Sequence, residues 1–233
     1  MKNQVILTVD TDWAPDEVLA RTLEMFKEAG VPCTFFATHD TPLLKGLDAG
    51  QYEVGLHPNF NPLFKGEGGD PAKIVGSLLE KYPDARGIRS HSSAISNVLV
   101  ELFGNMGFRY ESNVCLPYSQ RLEILTLWNG MVRIPFNWED YLHFSYQKSF
   151  ADTGLNLSEG LHVLTFHPVH VFLNTENMDR YRAARRFYHD PEMLKGFRNR
   201  SKGTRTLLSS LLRADLPFTK MEDIAHAFEE SPW

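Results

Sequence analysis

The chain has 233 residues, 42% of them hydrophobic and 23% charged, which excludes a disordered segment and suits one domain over residues 1–233 with a sizeable core. A formal net charge of −5 argues against nucleic acid or an anionic membrane as partner. No apolar stretch is long enough to span a membrane. The opening Met1-Lys2-Asn3-Gln4 runs into a strand pattern without a signal-type apolar region, so the expected location is the cytoplasm. Cys33 and Cys115 lie far apart and outside any CxxC pattern. Cys33, within an apolar strand, reads as a buried free thiol, which fits a reducing compartment.

Strand-like and helix-like patterns alternate along the chain, the signature of an α/β fold with a mostly parallel sheet. Val5–Val9 is an apolar, β-branched run ending in Asp10-Thr11-Asp12-Trp13. Pro15 and Asp16 open a helix with Leu19, Leu23 and Phe26 on one face, and Gly30 stops it. Residues 31–37 predict a second strand, Pro42–Leu47 a short helix, and Tyr52–Leu56 a third strand delivering His57. Pro58–Asp70 reads as a shaped surface loop, and Pro71–Lys81 as a helix. Gly87-Ile88-Arg89 leads into Ser90-His91-Ser92, followed by a helix over 95–106 and a strand over Arg109–Ser112. Ile124–Trp128 and Met131–Pro135 flank Asn129-Gly130, a hairpin signal. Leu161–Phe166 is a late strand ending in His167-Pro168-Val169-His170. Residues 176–202, with Arg180, Arg182, Arg185 and Arg186 among acids, read as an exposed, partly helical excursion whose basic residues form a solvated face. A helix over 204–213, a strand over Phe218–Met221 and a helix over Glu222–Glu229 close the chain.

The polar candidates fall at the carboxyl ends of successive predicted strands: Asp10 and Asp12, then His57, then Arg89 and His91, then His167. In a barrel of alternating strands and helices, those ends converge on one pocket. Two carboxylates so close need distinct roles, one on a metal and the other handling a proton; by themselves Asp10-Thr11-Asp12 equally suit a polar turn. Asp12 and His57 form a reasonable pair of ligands for Zn²⁺ or a similar divalent ion. His91 is favoured as third ligand, with Asn61 the oxygen-donor alternative, because imidazole is the better Zn²⁺ ligand. Arg89 is placed to pair with Asp10 and keep it ionised. His167 is placed to give a proton to a leaving nitrogen, with His170 orienting it or lining the pocket. Trp13, Trp128 and Trp138 suit stacking on sugar rings, although an aromatic is core more often than not.

These residues, in this order, resemble the polysaccharide deacetylase family, the carbohydrate esterases with a NodB homology domain. Asp10 and Asp12 match its base and metal aspartates in a spaced form. His57-Pro-Asn-Phe-Asn61 matches a His-rich HxxxH motif with only the first histidine present. Arg89 matches the arginine that orients the base, and Leu164-Thr165-Phe166-His167 the acid-histidine motif. Tyr110-Glu111-Ser112-Asn113 resembles a further, weaker motif, which adds Asn113 to the substrate-binding candidates Trp13, Asn61, Trp138 and His170. The resemblance covers roughly residues 4–172 and is similar to a branch associated with bacterial surface-polysaccharide and O-antigen synthesis. It implies a distorted (β/α) barrel of seven or eight strands and a metal-dependent hydrolase that removes an N-acetyl group from a sugar. Asp10, Arg89 and His167 would be its catalytic residues, and Asp12, His57 and His91 would hold Zn²⁺. Two alternatives remain: hydrolysis of another C–N bond, such as a formamide, on the same fold, and a sugar-binding relic without activity.

Overall fold

The computed structural model describes residues 3–230. Nine strands form one sheet: β1 Gln4–Asp10, β2 Cys33–Ala37, β3 Tyr52–Leu56, β4 Gly87–Ile88, β5 Tyr110–Glu111, β6 Leu125–Thr126, β7 Val132–Arg133, β8 Trp138–Glu139 and β9 Leu161–Phe166. Their order is β6-β7-β5-β4-β3-β2-β1-β9-β8. Every pairing is parallel except β6 with β7, the hairpin that Asn129-Gly130 signalled. The sheet is a distorted, unclosed barrel: among the described residues no pairing joins β6 to β8. The resemblance implied seven or eight strands; the sheet has nine, several of them only two residues long.

β1, β2 and β9 are buried almost throughout, which explains their continuous apolar runs. A central parallel strand is covered on both faces and does not alternate. Helix Asp16–Ala29 lays Leu19, Leu23 and Phe26 onto the sheet. It ends at Gly30, whose φ of 63° is the left-handed conformation that lets its N–H turn back to the carbonyls of Phe26 and Lys27.

Three expectations shift. The loop after His57 contains a short helix, Asn61–Phe64. The Trp138–Ser145 stretch and Pro168–Leu173 add two unforeseen helices, Asp140–Ser145 and Pro168–Leu173. The predicted strand Phe218–Met221 reduces to a single bridge between Phe218 and Val5, since Met221 already opens the last helix, Met221–Glu229.

That helix is clamped to the base of the sheet. The Met221 amide donates to Thr34 Oγ1 at 3.0 Å and the Glu222 amide to Glu53 Oε2 at 3.0 Å. Thr34 donates to the same Glu53 oxygen at 2.8 Å, and the Tyr110 hydroxyl donates to the other. Burial pushes the Glu53 carboxyl up to about 7 against the hydrogen bonds of Tyr110, Thr34 and Glu222. The folded chain thus holds a proton that the unfolded chain releases above an ordinary 4.5, so this group's contribution to stability is lost as pH rises through about 7. Thermal unfolding of Glu53→Gln should therefore vary less between about pH 5 and pH 8 than that of the wild type; equal slopes would remove Glu53 as the titrating group.

Candidate active site

Strand ladders carry the polar side chains into one pocket. The Thr11 amide bonds the Phe36 carbonyl, the His57 amide that of Ala37, and the Arg89 amide that of Leu56. Each residue just past a strand is thus locked to its neighbour, and side chains distant in sequence meet at the carboxyl ends. The cavity there has a volume of about 450 Å³ and is lined by Asp10, Asp12, His57, Arg89, His91 and His167, among others.

Arg89 is 1% exposed. Its Nη1 donates to Asp10 Oδ1 at 3.0 Å, Thr8 Oγ1 at 2.8 Å and Thr165 Oγ1 at 3.0 Å. Nε donates to the Ser112 carbonyl and Nη2 to the Ser112 hydroxyl. The guanidinium lies 4.4 Å from the Phe36 ring centroid and 4.8 Å from that of Phe136. It leaves Asp10 Oδ2 free, 3.8 Å from His57 Nε2.

Asp12 Oδ1 lies 3.3 Å from His57 Nε2 and 3.1 Å from His91 Nδ1, and the ligand atoms of the three residues fall within 4.8 Å of one another. His57 Nδ1 is buried without a partner, so the polar contacts of this imidazole run through Nε2 toward the two aspartates. One carboxylate and two imidazoles converging on a cavity wall are a donor set that fits a catalytic divalent cation with an open position. Burial works to raise Asp12, but hydrogen bonds from His57 and His91 and the charge of His167 hold its carboxyl well below the usual range. Asp12 and Trp13 both have left-handed backbone, φ 45° and 55°. Two side chains hold that turn: the Tyr188 hydroxyl donates to the Asp12 carbonyl at 2.7 Å, and Thr38 Oγ1 accepts from the Trp13 amide at 2.8 Å.

His167 is bound by Asp140, which accepts from its amide at 2.9 Å and faces its Nδ1 at 2.7 Å. That leaves Nε2 toward the cavity, 3.7 Å from Asp12 Oδ2 and 3.9 Å from Glu139 Oε1. Burial lowers the His167 pKa, but Asp140, through charge and hydrogen bond, and then Asp12 and Glu139 carry it well above its ordinary value. Asp140, His167 and His170 also cluster tightly. Asp140 is committed to His167 and to the Tyr141 amide, however, and His170 Nδ1 meets Thr175 Oγ1 at 3.2 Å. Burial pushes His170 down to about 4, so it lines the cavity as a neutral ring. Burial pushes Glu139 up to about 7.

The other sequence candidates lie off the cavity lining. The Asn61 amide donates to Ser92 Oγ at 3.1 Å, bracing the turn that carries His91 instead of facing Asp12; the short helix beginning at Asn61 sets that direction. Asn113 accepts from the Ser90 amide and donates to Glu111. Trp138 is buried against Phe166 and donates to His143 Nδ1. Trp13 is 36% exposed and meets His91 edge-on, while Trp128 is exposed and outside the pocket. Sequence reading missed Glu139, Asp140, Tyr141, Tyr181, Arg185 and Tyr188, all but Asp140 on the lining. The acid pair after Trp138 was the available signal for the first two. The last three come from the stretch read as a solvated face.

An unclosed parallel barrel with a carboxylate–histidine pocket at its carboxyl strand ends is the architecture of polysaccharide deacetylases. The chain belongs to the WbmS-like polysaccharide deacetylase family, whose model matches residues 7–185. It is similar to a Bordetella bronchiseptica protein assigned as a polysaccharide deacetylase involved in O-antigen biosynthesis, at 38% identity and a TM-score of 0.85 over 91% of this chain and 90% of that one. Two distant structures share the fold. One is assigned as a polysaccharide deacetylase from Mycobacterium smegmatis (19% identity, TM-score 0.58, covering 99% and 93%). The other is a family 4 carbohydrate esterase from Bacillus anthracis (14%, 0.50, covering 97% and 84%). No curated protein sequence matches the chain.

Asp140 is the first charge to act on His167. In chelator-treated protein, Asp140→Asn should move the His167 imidazole titration, followed by NMR, down toward its ordinary range near 6.5. An unmoved titration would separate the two residues.

Proposed function

We propose that the protein is a metal-dependent hydrolase that removes an N-acetyl group from a sugar of a bacterial surface polysaccharide, or from a precursor of one. The observation that carries this is the opposition within one cavity of an arginine-held carboxylate, Asp10, and a carboxylate-held imidazole, His167, beside the converging donors Asp12, His57 and His91. Family membership and the 38% identical Bordetella protein support the substrate class.

Asp12, His57 and His91 would hold a divalent ion, Zn²⁺ being the best match to the donor set, and when bound it supplies a Lewis acid for the amide carbonyl. Asp10, aimed by Arg89, takes the proton of the water that adds to the carbonyl carbon. His167, with Nδ1–H committed to Asp140, presents Nε2 to the nitrogen and protonates it as the C–N bond breaks. Acetate and the free amino sugar leave. His170, neutral and buried, packs beside His167 at 5.6 Å between ring centroids and limits its rotation. No helix among the described residues is long and apolar enough to cross a membrane. Two free cysteines support a reducing compartment, and on that ground we place the reaction in the cytoplasm.

Two measurements test the assignment. Elemental analysis should find metal in the wild type and in Asn61→Ala but little in His91→Ala; loss in Asn61→Ala alone would replace His91 by Asn61 in the ligand set, and a wild type refusing added Zn²⁺ would favour a sugar-binding relic. Asp10→Asn should keep the metal and lose about 10²- to 10⁴-fold in kcat. Undiminished turnover would mean that another group is the base.

A further inference from the structure

Residues 178–188 contribute Tyr181, Arg185 and Tyr188 to the cavity lining, and Arg185, an exposed residue, stands at the cavity mouth. Arg180 is paired with Glu176 and the Phe197 carbonyl, and Arg182 with Asp179. Arg186 covers the Phe187 ring, and Arg198 covers Phe172 and donates to its carbonyl. Arg185 lines the cavity and has no hydrogen-bond or ion-pair partner for its guanidinium among the described residues. The other arginine on the lining, Arg89, is fully engaged. The hydroxyls of Tyr141 and Tyr181, also on the lining, are uncommitted as well. Tyr181 is held in place by its ring, 5.0 Å from that of His170 and 5.9 Å from that of Tyr141.

We infer that Arg185 is a specificity residue and that the amino sugar carries a negatively charged group, which Arg185 and the neighbouring tyrosine hydroxyls receive. This inference rests on the sugar-deacetylase reading of the same site. A guanidinium at a cavity mouth offers two parallel N–H donors to a carboxylate or phosphate, a geometry suited to recognition more than to fold stability. The rest of the cavity enforces orientation. Asp10, Asp12 and Glu139 place carboxylates around the position where the amide must sit. A substrate entering the other way round would bring its anion against them, whereas the correct entry sets the anion on Arg185. The anion has two chemical sources, a carboxylate on the sugar ring or a phosphate on its anomeric oxygen, and the cavity mouth suits both.

The test compares three N-acetylated substrates: a neutral hexosamine, the matching hexosaminuronic acid and the hexosamine 1-phosphate. Each is assayed with the wild type, Arg185→Ala and Arg185→Lys, and binding of each to Asp10→Asn and to Asp10→Asn/Arg185→Ala is measured by calorimetry. One anionic compound should exceed the neutral sugar by about tenfold or more in kcat/KM, with Arg185→Ala removing the preference and Arg185→Lys restoring part of it. Whichever anionic compound shows the gain identifies the source. Equal use of all three, or a preference that survives Arg185→Ala, overturns the inference while leaving the deacetylase in place. No hydrolysis of any compound, with Arg185-dependent binding of one anionic sugar retained, upholds the anion site and removes the deacetylase. Neither hydrolysis nor selective binding overturns both.

Discussion

A guanidinium buried in the middle of a sheet is expensive unless every donor is answered, and Arg89 is answered throughout. Its partners come from β1, β9, the residue after β5 and Met221 of the last helix, whose sulfur accepts from Nη2, and two phenylalanine rings close its faces. Removing a partner from such a group typically costs several kcal/mol, because the remaining charge stays buried and unpaired. Asp10 is therefore part of what holds the strand ends together as well as part of the pocket lining. The guanidinium that orders the strand ends is also the group that fixes the direction of the Asp10 carboxylate.

The four acidic side chains around the pocket show how neighbours, not residue type, assign roles. Asp10 faces the Arg89 guanidinium at 3.0 Å. Asp12 faces imidazoles, which hold its carboxyl low. Asp140 is spent entirely on His167 and on backbone amides. Glu139 has no strong partner, and burial carries it to about 7. Carboxylates that meet around one pocket thereby come to differ: one faces a guanidinium, one faces imidazoles, one is committed to His167, and one is raised by burial.

Much of this was legible in the sequence where strands are long. β1 and β9 announce themselves as largely apolar runs and β3 as a short strand pattern, and the residues at or just past their ends, Asp10, His57 and His167, are brought to one cavity as parallel strands require. Arg89 meeting Asp10 followed from the same logic. Legibility fails where the element is too short for a period. β8 has two residues, so Trp138 read as a stacking platform instead of a core strand residue, and Asp140 went unnoticed. It fails again where direction depends on a local turn: Asn61 starts a helical turn and points at Ser92. In the 176–202 stretch the charges alternate as on any solvated face. Both Arg182 and Arg185 are exposed; only the tertiary placement of the helix end sets Arg185 at the cavity mouth, while Arg182 pairs with Asp179.

Tyr188 draws a boundary that motif reading does not. The family match stops at residue 185, yet the hydroxyl that holds the carbonyl of Asp12 belongs to residue 188. Asp12 and Trp13 sit in backbone conformations that non-glycine residues occupy only when their surroundings impose it. Part of what imposes it arrives more than 170 residues later in the chain. A chain shortened just after its last recognisable motif would keep every reactive side chain and lose one of the two tethers that hold Asp12's turn. The working unit of this site is longer than the segment by which it is recognised.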